Sequence, residues 1–346
     1  MTNLAPPRKQ PTESLTVTSA AIKPQRSPLD FGWWASRFSV IGVWILMIVV
    51  FGIITPERFL SAGVPRVILS GQLEIVFLAA ALLCTIIVGE FVDMSVPANY
   101  GIAGTVVAVL TVNLGTNVWL SALLAIAVST LVGLVNGLLV VRLGVNTIVV
   151  TLGMSTVLAG LAIWASGAQP ISGVPREFTA VVNTNILGLP VGFYLGLILM
   201  LGFAYVLQFT PLGRNMRFVG ANREVSRLAG VRVDRVRLGA FVAAGAIAGL
   251  GGVLSAAKIG GFDAATAQTY LLPMFATVFL GTAILFPGKF NPIGALLAAY
   301  FLATGTLGLQ LALIGTNSNL WVPNVFYGAV LVIAVTASTV LGRRSR

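Results

Sequence analysis

Residues 67–88 read VILSGQLEIVFLAAALLCTIIV, a run of 22 residues whose only charged side chain is Glu74. A helix that crosses the hydrocarbon core of a bilayer needs about 20 mostly apolar residues, so this run predicts a membrane span. The rest of the 346-residue chain has the same character, because 57% of its residues are hydrophobic and 9% are charged. Since a soluble protein carries about 25% charged residues, the composition excludes a soluble globule and predicts an integral membrane protein.

The other apolar runs predict an all-α fold, a polytopic transmembrane bundle of about ten helices. Glycines at four-residue spacing, Gly133 with Gly137 and Gly245 with Gly249, favour close contact between helices inside the membrane. The spans are expected at 38–55, 67–88, 94–112, 118–141, 147–166, 191–209, 238–257, 270–286, 291–312 and 321–341.

The two ends of the chain differ from its apolar middle. Residues 1–37 are rich in Pro, Ser, Thr and basic side chains, so they predict a disordered cytoplasmic tail. Residues 38–341 are expected to form the transmembrane domain, and 342–346 a short second tail. A cleaved signal peptide is the competing interpretation of the first segment. It is disfavoured because the apolar run starts late and no small-residue cleavage pattern follows it.

The basic residues predict the orientation of the bundle. With the N-terminus placed in the cytoplasm, 17 of the 21 Lys and Arg residues fall in cytoplasmic segments. The four that fall outside are Arg58, Arg66, Arg176 and Lys258. Because Lys and Arg are enriched in cytoplasmic loops, this division predicts an even number of spans with both termini in the cytoplasm. The net charge of +11 is then mainly a signal of topology, and we expect no nucleic-acid partner.

The residues that the chain lacks exclude several kinds of chemistry. It has no histidine, which excludes a Ser-His-Asp triad and histidine-ligated metal sites. Its single cysteine, Cys84, excludes an internal disulfide. The only Gly-Lys pair, Gly288-Lys289, precedes Phe290, and Ala283 stands where a phosphate-binding loop needs its first glycine. We therefore expect no catalytic residues, metal or cofactor in this chain, and no ATPase of its own.

The segment 210–237 concentrates seven arginines and two acids between two spans. It contains a short predicted helix with an asparagine N-cap, a glutamate in the first turn and a glycine stop. One interpretation is a positive-inside loop with snorkelling arginines, and the other is a helix that docks on a cytoplasmic partner. The helix comprises the cap Asn222, the acid Glu224, the stop Gly230, an apolar face of Val225, Leu228 and Ala229, and a second face of Arg223 and Arg227.

Polar side chains within or beside the spans are candidates for a transport pathway or a hinge. Acids in a membrane span cost about 2.5–3.5 kcal/mol each on insertion scales, which favours a functional reason for them. Solvated loop acids, a near-interface position, interhelical hydrogen bonds and ordinary packing are the competing interpretations. The candidates are Glu74, Glu90, Asp93, Ser95, Asn99, Asn136 and Thr151, together with Phe275 and Thr277 in the predicted eighth span after Pro273.

Four segments, taken in order, resemble the ribose-type permeases, the membrane subunits of bacterial ABC sugar importers. Together they cover about residues 65–340. They are GEFVDMSV (89–96), similar to "GxIDLSVG"; NGLLVVRLGVNTIVVTLGMSTVLAGLAIWASGAQPISG (136–173), similar to "NGxLVxxxxxPxFIxTLGxxxxxRGLxxxxxxGxPI"; GANREVSRLAGVRV (220–233), similar to "GxNxxAARxSGI"; and FLGTAILFPGKFNPIGALLAAYFL (279–302), similar to "LGGTSxxGGxGxxxGxxxGAxxL".

The resemblance implies a type II-like ABC importer permease in the inner membrane of a bacterial cell. It implies an ABC ATPase subunit that binds ATP, a periplasmic or lipid-anchored substrate-binding protein and a second permease subunit, expected as a homodimer. The helix at 222–230 would be the coupling helix that fits a groove on the ATPase. The chain departs from the family pattern at Pro97, by an extra residue before Asp93, at Leu280-Gly281 and at 286–289, so the substrate can differ from ribose.

Alternatives from three classes remain open at this stage. A branched-chain amino-acid ABC permease would share the spans and the ATPase partner. A secondary transporter or channel would explain the spans and acids without an ATPase. A membrane-embedded enzyme is the weakest alternative, because the usual catalytic residues are missing. The predicted function is import of a monosaccharide or related polyol, powered by a separate ATPase.

Overall fold

The computed structural model describes residues 31–315 and 317–344, and they form an almost wholly helical bundle. Besides its α-helices, the bundle has two π-helical turns, Val109–Asn113 and Leu138–Arg142, and a 3₁₀ helix at Ala264–Tyr270. The helices are α1 (Phe31–Ile54), α2 (Pro56–Phe59), α3 (Gly63–Ser70), α4 (Leu73–Ile87), α5 (Val96–Ala108), α6 (Val118–Gly137), α7 (Thr147–Ala165), α8 (Arg176–Asn183), α9 (Val191–Phe209), α10 (Pro211–Ala221), α11 (Arg223–Leu228), α12 (Val233–Ile259), α13 (Leu271–Gly281), α14 (Pro292–Ala312) and α15 (Ser318–Arg344).

Seven helical stretches of the described residues are long and apolar enough to cross a membrane. They agree with seven of the predicted spans, and α3 and α4 together make one of them. Two shorter apolar stretches, Phe38–Ile54 and Trp321–Ala334, lie where the first and tenth spans are predicted. The seven are Gly63–Ile87, Val96–Asn113, Val118–Arg142, Thr147–Ala165, Val191–Phe209, Val233–Ile259 and Pro292–Ala312.

The predicted eighth span, 270–286, is not one continuous helix. Its α-helical part, α13, has 11 residues and ends at Gly281, and turns follow as far as Asn291. Eleven residues rise only about 16 Å, roughly half of the hydrocarbon core. Hydropathy missed the break because the turn residues around Phe286 are themselves apolar.

The first predicted tail has a different boundary. α1 begins at Phe31, so the helix starts seven residues before the predicted first span at 38. Residues 1–30 and 345–346 lie outside the described residues, and the predicted disorder of the first tail stays a prediction.

The core of the bundle surrounds α4 and α12. Each of the 15 residues of α4 is buried, so this very apolar helix packs against other helices and not against lipid. α12 packs along α4, α5 and α6. The apolar side chains of α1, α7 and α9 face outward instead, as expected for helices that contact lipid.

The two predicted glycine pairs meet at the crossing of α6 and α12. A Cβ atom added at Gly133 would lie 2.4 Å from the carbonyl oxygen of Phe241, and one added at Gly245 would lie 2.5 Å from that of Ser129. The helices therefore touch through their backbones, an approach that only glycine permits at these two positions.

Contacts distant in sequence define two ends of the bundle. At the strand end, β1 (Ile171–Ser172) pairs antiparallel with β4 (Gly261–Phe262), and β2 (Asn185–Ile186) pairs with β3 (Leu189–Pro190). At the arginine-rich end lie the α4–α5 loop, the start of α7 and the segment 210–237. These two groups of loops alternate along the chain, as expected for helices that cross the bundle repeatedly.

Candidate functional site

The loop between α4 and α5 holds the most heavily paired acid of the described residues. Glu90 is 4% exposed, and its Oε1 accepts from Arg223 Nη2 at 2.7 Å and from Arg237 Nε at 2.7 Å. Its Oε2 accepts from Thr147 Oγ1 at 2.5 Å. We call Glu90, Thr147, Arg223 and Arg237 the Glu90 junction. Paired in this way, the carboxylate can be buried in its charged form.

The Glu90 junction joins three helices to one loop. Arg223 belongs to α11, Arg237 to α12 and Thr147 to α7. Arg223 Nη2 also donates to the carbonyl oxygen of Gly89 at 3.0 Å. Arg223 therefore links α11 directly to the loop that connects α4 with α5.

The same loop is fixed further along at Asp93. Its Oδ1 accepts from the backbone N–H of Ser95 at 3.0 Å and from the Ser95 hydroxyl at 2.6 Å. Asn136 on α6 donates to that hydroxyl at 2.9 Å. Burial raises the pKa of the Asp93 carboxyl, which lies outside the spans, although the two hydrogen bonds from Ser95 oppose this shift. The predicted candidates Glu90, Asp93, Ser95 and Asn136 thus lie along one loop.

Two threonines one turn apart on α7 hold this loop against the helix. Thr147 binds Glu90, and Thr151 Oγ1 accepts from Met94 N–H at 3.2 Å and donates to the carbonyl oxygen of Val92 at 3.3 Å. Thr151 was among the predicted candidates, whereas Thr147 was not. Their spacing of four residues, which places both on one helix face, is the signal that could have indicated both.

At the strand end, Glu74 forms a second buried ion pair. It is 4% exposed, and its two carboxylate oxygens accept from Lys258 Nζ at 3.0 and 2.9 Å. Ser255 Oγ donates to Glu74 at 3.4 Å and accepts from the Tyr100 hydroxyl at 2.8 Å. We call Glu74, Tyr100, Ser255 and Lys258 the Glu74 junction. The sequence prediction placed Lys258 in an outer loop and did not connect it with Glu74.

The two junctions fasten α4 to α12 at both ends. α12 carries Arg237 near its start and Lys258 in its last turn, and each binds an acid at one end of α4. The 21 residues from Arg237 to Lys258 rise about 31 Å, close to the thickness of the hydrocarbon core. The two charged pairs are therefore separated along α12 by about the thickness of the hydrocarbon core.

The other three predicted candidates do not join these junctions. Asn99 on α5 donates to the carbonyl oxygen of Ser129 on α6 at 3.1 Å, an interhelical bond. Thr277 is buried and donates to the carbonyl oxygen of Pro273 in its own helix at 2.8 Å. Phe275 stacks on Phe279 with ring centroids 6.3 Å apart.

Phe275 belongs to a row of four aromatic rings that leads to the arginine-rich end. The ring centroids of Phe279 and Phe290 are 5.5 Å apart, and those of Phe290 and Phe91 are 6.3 Å apart. Phe91 is the residue that follows Glu90 in the chain. The sequence prediction missed Phe91, Phe279 and Phe290. No spacing in the chain joins them, because the turn after α13 brings Phe290 back to α13.

The short helix α11 has the predicted ends. Asn222 Oδ1 accepts from the backbone N–H of Val225 at 3.1 Å as the N-cap, and Gly230 follows the helix with a φ of 81°. Val225 and Leu228 are exposed, Leu228 to 89%, and Ala229 beside them is exposed too. Nothing in the described part of the chain covers this apolar face.

The two arginines of α11 have different partners, although the prediction put them on one face. Arg223 binds the buried Glu90, whereas Arg227 makes surface contacts with Glu224 at 3.4 Å and Asp234 at 3.8 Å. Surface pairs of this kind contribute little to stability. Of the two arginines, Arg223 is therefore the one that connects α11 with the core.

The seven long apolar helices of the described residues define a polytopic membrane protein, with buried ion pairs at both ends of the bundle. Comparisons with known proteins show which family of membrane proteins it belongs to. Residues 68–335 match the family described as "Branched-chain amino acid transport system / permease component", and the chain belongs to this family. The resemblance to transport permeases that the motifs indicate is thereby confirmed. No solved structure matches the chain.

Curated relatives align over nearly the whole chain. The D-allose transport system permease protein AlsC of Escherichia coli (strain K12) is 24% identical over 327 residues, covering 92% of this chain and 96% of the relative. The Autoinducer 2 import system permease protein LsrD of Escherichia coli (strain K12) is 28% identical over 318 residues, covering 90% and 93%. LsrD of Shigella flexneri matches to the same extent.

Proposed function

We propose that this chain is the membrane subunit of an ABC importer for a monosaccharide or a related polyol. The family and the two relatives support this proposal, since one relative's name gives D-allose as its transported substrate. The family description names branched-chain amino acids, which keeps that substrate class as the competing outcome of the substrate experiment. An importer for either substrate class needs an ATPase supplied by another polypeptide.

The proposed assembly contains two copies of this chain, two ATPase subunits that bind ATP, and a substrate-binding protein. It lies in the inner membrane of a bacterial cell, with ten membrane crossings, of which the eighth is the 3₁₀ helix followed by α13. The arginine-rich end and both termini face the cytoplasm. The distribution of Lys and Arg supports this orientation, and the binding protein would then meet the strand end.

The uncovered apolar face of α11 supports the proposal that the ATPase binds at this helix. A six-residue helix is too short to be stable alone, and its exposed Val225, Leu228 and Ala229 gain nothing from water. A groove on the ATPase would bury them. The movement of the ATPase would then pass from α11 through Arg223 to Glu90, and from there to the α4–α5 loop and to α12.

The remaining candidates divide among four proposed roles. Asp93, Ser95, Asn136 and Thr151 form the hinge of the α4–α5 loop, because each is bonded to it or belongs to it. Phe275, at the far end of the aromatic row, is the proposed pathway residue. Asn99 and Thr277 position helices in this scheme, and Glu74 is part of a brace.

Replacing Leu228 and Ala229 together by Asp tests the dock. We expect loss of ATPase co-purification, while the double variant still inserts and elutes as a monodisperse protein. Leu187→Asp is the matched control, because Leu187 is 92% exposed at the strand end and should not affect the ATPase. Normal co-purification of the ATPase with the double variant would contradict the docking role of α11.

The substrate class is tested in vesicles that contain the assembled importer. We expect ATP hydrolysis to rise when the binding protein is loaded with a monosaccharide and to stay basal with leucine or isoleucine. A response to the amino acids alone would favour the branched-chain alternative. Uptake that follows an ion gradient without ATP would indicate a secondary transporter.

A further inference from the structure

An apolar groove of about 410 Å³ opens between α9, α10 and α12, beside α4. This volume lies in the range of ordinary ligand pockets. Phe203, Val206 and Met216 are among the residues that line it, and the only charged side chain of its lining is Arg235. A sugar needs several hydrogen-bonding groups, whereas this groove offers them mainly at Arg235, so the groove does not fit a sugar as the transported substrate.

Two glycines leave the groove open. A Cβ atom added at Gly202 on α9 or at Gly239 on α12 would meet nothing within 4 Å, unlike the glycines at the α6–α12 crossing. Neither glycine is required by helix packing here. α9 also exposes Ile198, Leu201 and Tyr205, so this side of the bundle faces the surroundings of the protein.

The groove has the depth of one leaflet. It extends along α12 from Arg235 to Ile247, 12 residues that rise about 18 Å from the arginine-rich end. Half of the hydrocarbon core is about 15 Å thick. An acyl chain that enters beside Arg235 would therefore reach the far end of the groove.

The charge at the mouth has no acid to balance it among the described residues. Three of the seven arginines in 210–237 are paired: Arg223 and Arg237 with Glu90, and Arg227 with Glu224 and Asp234. The arginines for which the described residues provide no ion-pair partner are Arg214, Arg217, Arg232 and Arg235. Arg214 lies on α10 between Leu212 and Met216, which both line the groove.

We propose that this groove binds an acyl chain of an anionic phospholipid, whose phosphate contacts Arg235. Basic sites at the cytoplasmic ends of transmembrane helices bind anionic headgroups, and an apolar groove that opens to the bilayer takes the attached chain. The unbalanced arginine selects the charge of the lipid, and the two glycines make room for its chain.

Native mass spectrometry of the purified full-length chain tests this site, with phosphatidylglycerol and phosphatidylcholine of identical acyl chains. We expect phosphatidylglycerol to bind more tightly. Arg235→Gln should weaken its binding about fivefold, the contribution of one basic residue at an anionic surface. It should weaken phosphatidylcholine less, because the choline cation of that lipid offsets the charge of its phosphate. Gly239→Leu should reduce binding of both lipids, because it fills the groove. Inorganic phosphate, without a chain, should not raise the melting temperature.

Arg232→Gln is the matched control, since Arg232 is exposed in the same segment but does not line the groove. Equal binding of the two lipids to the wild-type chain would overturn the proposal, and so would equal losses in Arg232→Gln and Arg235→Gln. If Gly239→Leu disrupts the dimer and leaves lipid binding intact, a second copy covers the groove and the proposal is wrong. If the Gly239→Leu chain is not monodisperse, Gly202→Leu on the opposite wall of the groove replaces it, and the same reduced binding of both lipids is expected.

Discussion

The Glu74 junction and the Glu90 junction place equally buried carboxylates at opposite ends of α4, yet they differ in what they connect. Glu74 binds Lys258, which belongs to α12, the neighbour of α4 along its whole length. Glu90 also binds α12, through Arg237, but adds Arg223 from a helix whose apolar face is uncovered. One junction braces two core helices, whereas the other joins the core to a segment that we propose to be moved by a partner.

The charges of the two junctions differ as well. Glu74 and Lys258 balance each other, whereas Glu90 faces two guanidinium groups and leaves one positive charge in excess. Loss of the acid therefore has unequal consequences at the two ends. At Glu90 it leaves two like charges side by side, which repel each other.

The test with the largest expected effect on this comparison concerns the orientation of the chain in the membrane, because each reporter lies either inside or outside. Reporter fusions after Arg176 and after Arg232 should report opposite sides of the membrane, with the Glu90 junction on the cytoplasmic side. Both reporters on one side would refute the ten crossings and would remove the distinction between an inner and an outer junction.

Glu90→Gln is expected to have the largest effect of the substitutions. Arg237, with its side chain only 13% exposed, would lose its acid, and a broken buried pair costs about 3–5 kcal/mol. We expect a lower melting temperature of the purified chain and loss of ATP hydrolysis that responds to the loaded binding protein. Glu90→Asp, which keeps the charge, is the control and should retain part of both. A Glu90→Gln chain with wild-type stability and coupling would show that the junction has no role.

Glu74→Gln should destabilise less, by about 1–3 kcal/mol, because the Lys258 side chain is 28% exposed and can turn toward the membrane surface. Coupling to ATP hydrolysis should be retained. The double variant Glu74→Gln with Lys258→Met should recover most of the stability, since it removes the unpaired charge. Loss of coupling in Glu74→Gln, at a temperature where the protein remains folded, would contradict the division between brace and transmission.

Asn136→Ala should have the smallest effect on stability, about 1 kcal/mol for one lost hydrogen bond. Asn99→Ala is its matched control, because each variant removes one hydrogen bond to or from α6. Asn99 on α5 binds Ser129, and Asn136 binds Ser95 in the α4–α5 loop. The two variants should melt alike. Only Asn136→Ala should slow coupled ATP hydrolysis, since Asn136 contacts Ser95 in the α4–α5 loop. Equal rates for both would remove Asn136 from the hinge.

Local patterns predicted the parts of this protein that depend on local sequence. The span at 118–141, the capped helix at 222–230 and the glycine pairs of α6 and α12 all follow from length, hydropathy and spacing, and the structure confirms them. The eighth span failed because hydropathy measures transfer from water. It does not register that the apolar residues after Gly281 form turns.

The partners of the buried acids could not be predicted from the chain alone. Glu74 and Lys258 are 184 residues apart, and Glu90 and Arg237 are 147 apart. Neither spacing has a local signature, because the antiparallel packing of α4 and α12 alone brings them together. Phe91 and Phe290 are also far apart in the chain, and they meet because α13 and the turn after it pack beside α4.

The sequence by itself determined a helical membrane protein and predicted that its basic residues gather on one side, because the bilayer imposes length, hydropathy and charge on every span separately. The tertiary structure alone decided which acid meets which base, and that Arg223 turns inward while Arg227 stays at the surface. Burying a charge requires a partner within about 4 Å, and that distance is set by how helices pack.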